Sequence, residues 1–326
     1  MTRNTDIDKI LFPVELSDIF YFVKKKYGQP GLFESEDKEL KTIEGYQAVT
    51  NSKTGRVFSV VTEGYRLVSN QEAMDLARDS FKQLFGVTDT GQMEVFNIIT
   101  PQSLSFCHID LVHRGYAVNI WASEMWLPYL RVTNSYNRSR ALHFDLGFCR
   151  KLCDNGVIFE SETIHYKFFH TRQQITPAGQ FQVNFEKLKL LETRFSETVK
   201  GLNAYHVPRK AFLPMACAAL ELTFDTHSED ASRRAKEKQR LDDFKYGARE
   251  LADKYANELH ENAYAVFNLI TDLASRPFFF RSSTIMVDNL QKKAGSWLGT
   301  FFHEIRRSDF SLDKYLGNAV DWFSLN

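Results

Sequence analysis

Up to Gln180 the apolar positions tend to alternate with polar ones and turn residues recur; beyond it the apolar positions return every three or four residues. Ile43 to Thr50 and Arg56 to Thr62 read as two strands. Asn51-Ser-Lys-Thr-Gly55 joins them, and its Asn and Gly suit a hairpin with positive backbone angles. Asn70 then stands as the N-cap of a helix that Gly86 stops. Met74, Leu76, Ala77, Phe81, Leu84 and Phe85 give that helix an apolar stripe. Strand-like runs follow over 94–101, 103–114, 116–123, 127–133, 140–148 and 156–161. In the second half Leu188, Leu191, Phe195, Val199 and Leu202 mark a helix over 183–202. Further helices are expected over 210–224, within 229–275, and over 288–306 and 313–323. A run of strands followed by a run of helices predicts an α+β fold. The expectation is a mainly antiparallel sheet with one early helix over 1–180, covered by a helical region over 181–326, the two integrated in one domain.

Charge narrows the function classes. The chain carries 41 Lys and Arg against 41 Asp and Glu, so any nucleic-acid binding must come from a patch and not from bulk charge. The cysteines Cys107, Cys149, Cys153 and Cys217 contain no CxxC pair. Cys149 and Cys153 are loosely spaced for zinc, with no second pair to complete a site, so reduced cytosolic thiols are expected. The N-terminus lacks the basic, apolar, small-residue order of a signal peptide. The apolar run over 211–224 is broken by Glu221 and falls well short of the ~20 residues that span a bilayer. A cytoplasmic protein with no membrane contact is the resulting expectation.

The neutral chain has one local basic excess. Between Leu130 and Phe159, Arg131, Arg138, Arg140, Arg150 and Lys151 face only Asp145 and Asp154. Asn134 and Asn137 around Ser135-Tyr136 read as one tight turn, and Asn155-Gly156 as a second with a positive φ at Gly156. A strand between them would set Arg138 and Arg140 at one end and Arg150 and Lys151 at the other. Guanidinium groups so placed suit a phosphate chain, and Tyr136 suits a stacked base. Arg131, Asn134, Lys167 and Arg172 complete the candidate nucleic-acid-binding set. For any single arginine the plainer reading is a pair with a carboxylate of the helical half. A second basic run over 232–249 sets Arg233, Lys236 and Arg240 at helical spacing, yet interleaved acids make it a solvated face.

His108-Ile-Asp110 and His143-Phe-Asp145 each put a His and an Asp on one face of a strand. If the two strands met, the four side chains would suit a divalent metal and a nuclease. No HExxH helix or Asp-rich loop accompanies them, the segments need not be adjacent, and the pairs are expected not to converge. No GxSxG, GxxxxGK[ST] or GxGxxG occurs. No cofactor and no metal is expected, catalytic residues are unassigned, and the balance favours a protein that is not an enzyme. Asn268 is read as a buried residue bonding across to the sheet half.

Several separated segments carry a resemblance. These are Val60-Val-Thr-Glu-Gly-Tyr65-Arg-Leu-Val68-Ser-Asn70, then Asn134-Ser135-Tyr136 with Phe148-Cys-Arg150 and Cys153-Asp-Asn155-Gly156, then Phe169-His170-Thr171-Arg172, and Asn262-Ala-Tyr264-Ala-Val-Phe267-Asn268-Leu-Ile-Thr271. In order and number they resemble the family called domain of unknown function 932, the phage/plasmid-like proteins, over roughly residues 45–275. The resemblance implies carriage by phages or plasmid-type elements and no established chemistry. The combined expectation is a non-catalytic protein that binds nucleic acid, preferably single-stranded DNA, in replication, recombination or maintenance of such an element, and that is compatible with homo-oligomerisation. The alternatives are a metal-dependent nuclease and a protein-interaction module in host defence or counter-defence.

Overall fold

The structure is a computed structural model that describes residues 7–27, 35–87, 93–121, 124–151, 155–158, 166–168, 185–278, 284–317 and 322–323. Two antiparallel sheets fill the first half. The smaller has the order β1 (Val14–Tyr27), β2 (Ser35–Asn51), β3 (Val57–Thr62). After α1 (Asn70–Phe85), the larger runs through β4 (Met93–Ile99), β5 (Phe106–His113), β6 (Val118–Trp121), β7 (Glu124–Ser135), β8 (Leu142–Arg150), β9 (Gly156–Ile158) and β10 (Tyr166–Phe168). Its path is β10-β8-β7-β5-β4, with β6 paired to β7 and β9 to β8. The helical half is α2 (Phe185–Ala204), α3 (Phe212–Leu220), α4 (Ala231–Leu259), α5 (Ala263–Ser275), α6 (Thr284–Glu304) and the short α7 (Leu312–Leu316). The α+β expectation holds.

Alternation decides which face of the large sheet is which. Cys107, Ile109 and Leu111 on β5, Leu130 and Val132 on β7, and Leu142, Phe144 and Leu146 on β8 join the main core with α1, α2 and α5. Trp126 stacks on Phe267 of α5 at 5.7 Å, and Phe148 stacks on Phe195 of α2 at 4.6 Å. Residues 263–274 of α5 are buried throughout, so α5 is the central helix of the domain. The opposite face carries the alternate residues, and these are partly charged.

Several local expectations need correction. The N-cap of α1 is Ser69, whose side chain accepts from Glu72 N; Asn70 is buried and donates to Ile10 O. Gly86 does close the helix in the left-handed conformation, and Gly55 has φ 69 in the β2–β3 hairpin as expected. Asn268 donates within its own helix to Tyr264 O and not to the sheet. Gly156 is not among the residues with positive φ. Its reason for being glycine is space: an added Cβ would lie 3.0 Å from the Tyr129 hydroxyl.

Gly147 is the tighter case. A Cβ there would sit 2.5 Å from Tyr129 Cζ and closer still to Val157 O. Neither neighbour can retreat, because the ring is fully buried and the carbonyl belongs to β9. Gly147→Ala is therefore expected to cost about 2–3 kcal/mol by overpacking, and more than Gly156→Ala. Urea unfolding of both variants checks the ranking.

Candidate nucleic-acid interface

The candidate arginines divide into buried and exposed groups. Arg131, Asn134, Tyr136 and Arg150 are buried, with Arg131 at 0% exposure. This corrects the expectation that they face a phosphate chain. A buried guanidinium needs a carboxylate, and each of the two has found one. The Asn134 amide donates to Val68 O and Asn70 Oδ1, and the Tyr136 hydroxyl accepts from Asn70 N. Both therefore tie the large sheet to the start of α1. Arg140 is half-buried, 3.9 Å from Asp288 and 5.6 Å above the Phe106 ring. Arg138 and Lys151 are exposed, near opposite ends of β8. Lys167 pairs with His143 in register on β10; its side chain, and Arg172, lie outside the described residues.

β5 and β8 are not adjacent: β7 lies between them, so the two His-x-Asp segments share one face of the sheet with a strand separating them. One row across the strands reads His108, Thr133, His143 and the next reads Asp110, Arg131, Asp145. Arg131 stands between the two carboxylates. It donates from Nε and Nη2 to the two oxygens of Asp110, at 2.6 and 2.7 Å, and from Nη1 to Asp288 of α6 at 3.2 Å. Asn97 adds a bond to Asp110 at 3.0 Å, and Lys292 lies 3.4 Å from Asp288. Burial, the largest single influence, tends to raise Asp288, but the surrounding positive charges, Arg131 foremost, together outweigh it and hold the carboxyl below its ordinary range. Among the described residues, no group of three or more His, Cys, Asp or Glu is placed to hold a metal ion.

His108 is the odd member of this plane. Its Nδ1 lies 2.7 Å from Thr133 Oγ1, and its Nε2 has no hydrogen-bond partner among the described residues. Burial, and then the Arg131 charge, push the imidazole down to about 3. The unfolded chain takes that proton near pH 6.5 while the fold refuses it. Stability should therefore fall as pH drops below about 6.5, by up to about 1.4 kcal/mol per pH unit, before the carboxylates titrate. Urea midpoints between pH 6.5 and 4.5 check this, and His108→Gln should remove most of the slope.

A second buried pair holds the other end of β8. Arg150 donates to both oxygens of Glu124 at 2.7 and 2.8 Å, and reaches Glu258 of α4 at 2.6 Å. Tyr264 donates to Glu124 as well, and Trp126 donates to the Tyr264 oxygen at 2.9 Å. The thiols of Cys107, Cys149 and Cys217 are buried as well. Burial lifts Cys107 to about 12 and raises Cys217, which leaves neither reactive; Cys153 lies outside the described residues.

The accessible side chains suited to a polyanion lie elsewhere. Beyond Asp18 and Gln47, β1 and β2 leave the body of the small sheet as a two-stranded arm, since β3 pairs only with Tyr46–Thr50 of β2. A register shift marks its base, where Gly45 adopts φ 79. Phe20 (54%) and Phe22 (66%) on one face, with Tyr21 on the other, are exposed, as are Lys38, Lys41 and Tyr46. Arg138 joins this side by donating to Val60 O of β3 at 3.3 Å. The sequence reading missed these rings, because Phe20-Tyr-Phe22 shows no alternation. That lack of alternation was itself the signal: a strand with rings on consecutive positions leaves both of its faces apolar.

The family model described as Domain of unknown function (DUF932) matches residues 57–297, which contain the buried plane but not the arm. No curated protein and no solved structure matches the chain.

Proposed function

Because the chain belongs to the DUF932 family, whose description carries no activity, we propose from its own side chains that it binds single-stranded nucleic acid, preferably DNA, without cleaving it. The observation that carries this reading is the set of exposed rings Phe20, Tyr21, Phe22 and Tyr46 interspersed with exposed Lys38, Lys41 and Arg138. Aromatic faces accept any base by stacking, and cations beside them track the backbone. Such a surface needs no cofactor. The setting we propose is the replication, recombination or maintenance of a phage or plasmid-type element. Lys151, at the far end of β8, is a secondary contact at most.

The test is fluorescence anisotropy with a labelled oligo-thymidine. Phe20→Ala with Phe22→Ala should weaken binding by about tenfold or more, because each stacked base is worth ~1–3 kcal/mol. Lys38→Ala, Lys41→Ala and Arg138→Ala together should flatten the salt dependence by about 0.7 of slope for each phosphate that is no longer neutralised. Wild-type affinity in both variants would sink the reading.

The shared face of the two His-x-Asp pairs is the observation on the side of metal-dependent cleavage. Against it, Arg131 already neutralises Asp110 between the pairs. We expect purified protein to leave single-stranded DNA intact in Mg²⁺ and Mn²⁺. Cleavage that requires both a divalent ion and Asp145 would reverse the choice.

A further inference from the structure

A cavity of about 550 Å³ opens between the C-terminal end of α3, one face of α6, and α7. Small-molecule sites run to roughly 300–1,000 Å³, so its size suits an organic ligand and not a lone ion. Ala218, Ala219 and Trp297 give it apolar surface. Asn289, Lys292, Lys293 and Ser296 line it together because these positions fall on one face of a helix. Asn289 and Ser296 are exposed there. The cavity thus joins a small apolar patch to a polar wall.

The wall favours an anion. Its charged side chains are Lys292, Lys293 and Glu221, two cations against one acid. Lys292 lies 3.4 Å from the buried Asp288, which Arg131 and Arg140 also approach. Lys293 donates to Leu220 O at 3.4 Å and pairs with Glu221 at 2.6 Å. Tyr315 adds a neutral donor: Trp297 donates to its hydroxyl at 2.8 Å, which engages a lone pair of that oxygen and not its proton. Burial raises the Tyr315 hydroxyl above its ordinary range, so it keeps that proton at neutral pH. Donors set on two helices suit the three terminal oxygens of a phosphomonoester better than the planar pair of a carboxylate.

Glu221 marks the rim. It closes α3 at φ 51 and ψ 42, the left-handed conformation that glycine usually supplies at a helix end. A glutamate is strained there, and strain kept beside a cavity points to a side chain with a task. The carboxylate is 72% exposed, so its pair with Lys293 is a weak surface pair that an incoming phosphate displaces. Once displaced, the carboxylate accepts from hydroxyl groups, which a sugar carries in number.

We propose that this cavity binds a sugar phosphate, with the phosphate held by Lys292, Lys293 and Tyr315 and the sugar hydroxyls by Glu221. None of the arm's residues lines the cavity, so the site stands or falls apart from nucleic-acid binding by the arm. A phosphate on a sugar reaches it either as a free sugar phosphate or as the 5′ end of a strand. The chemistry recognised is the same in both.

Isothermal titration calorimetry of the full chain with ribose 5-phosphate, inorganic phosphate and ribose tests the site. Ribose 5-phosphate should bind more tightly than phosphate, and ribose should give no binding heat. Lys293→Gln should weaken ribose 5-phosphate by about tenfold or more, the worth of a hydrogen bond to a charged group, with the circular dichroism of a folded protein. Glu221→Gln carries the finer test, at an exposed position where folding is not at risk. It removes a repelling charge, so inorganic phosphate should bind more tightly. It also removes the strong acceptor, so the advantage of ribose 5-phosphate over phosphate should shrink. A merely structural Glu221 would leave that ratio unchanged. Oligo-thymidine with and without a 5′ phosphate separates the two sources. A preference for the phosphorylated strand that Lys293→Gln abolishes assigns the site to strand ends, and equal binding of the two strands assigns it to free sugar phosphates. Ribose 5-phosphate that binds no better than phosphate, a Lys293→Gln chain that binds it like wild type, or an unchanged ratio in Glu221→Gln would overturn the proposal.

Discussion

Arg131→Met should cost about 3–5 kcal/mol of folding stability, the usual penalty for removing one partner of a buried charge pair. The guanidinium is 0% exposed and holds Asp110 by two bonds and Asp288 by a third. Met fills the volume but leaves both carboxylates buried with reduced compensation. Asn97 still reaches Asp110, and Lys292 and Arg140 still approach Asp288, so the loss should stop short of complete unfolding. Two consequences separate this account from simple cavity formation. Adding Asp110→Asn should recover part of the loss, because a neutral amide in that site needs no cation. The loss relative to wild type should also shrink as pH falls toward the carboxylate range, since protonation relieves the uncompensated charges that only the variant carries. Urea unfolding at pH 7 and pH 5 checks both. The folded fraction should bind single-stranded DNA with an unchanged salt slope, because Arg131 does not reach the surface.

How far the plane could be read in advance depends on distance along the chain. Leu142-His-Phe-Asp-Leu-Gly-Phe-Cys149 alternates in full, and that alternation places His143 and Asp145 on one face with no further information. The same holds for His108 and Asp110 on β5. What local pattern does not carry is the order of strands. β7 lies between β5 and β8, and this alone converts two separate pairs into one plane with Arg131 in its centre. Asp288 is 157 residues from Arg131 and lies on a helix whose apolar spacing says nothing of a buried acid. The basic excess around 130–151 was legible as composition, but composition does not tell a surface from an interior. The plainer reading of a single arginine, a pair with a carboxylate of the helical half, describes Arg131 with Asp288 and Arg150 with Glu258. The arm was illegible for the opposite reason: β1 lacks alternation because much of it is exposed on both faces, so no core imposed a period on it.

Arg150→Met should cost about 3 kcal/mol or more by the same logic, with a different remainder. Glu124 is buried, and apart from Arg150 its described partner is the Tyr264 hydroxyl, which a carboxylate accepts from but which carries no charge. Burial, then the Glu124 charge, already raises the Tyr264 hydroxyl well above its ordinary range, so it stays a donor throughout the accessible pH. Glu258 is about one-third exposed and can turn to water when Arg150 is removed. The penalty therefore falls mainly on Glu124, and Glu124→Gln should offset it while Glu258→Gln should not. In a double-mutant cycle, coupling between Arg150 and Glu124 should exceed that between Arg150 and Glu258 by about 1 kcal/mol or more. The measurement is urea unfolding of the single and paired variants. Equal couplings would mean that the partly exposed partner matters as much as the buried one, and the account of this end of β8 would fail. As with Arg131, oligo-thymidine binding by the folded Arg150→Met protein should keep its wild-type salt slope. A reduced slope would instead return Arg150 to the nucleic-acid surface.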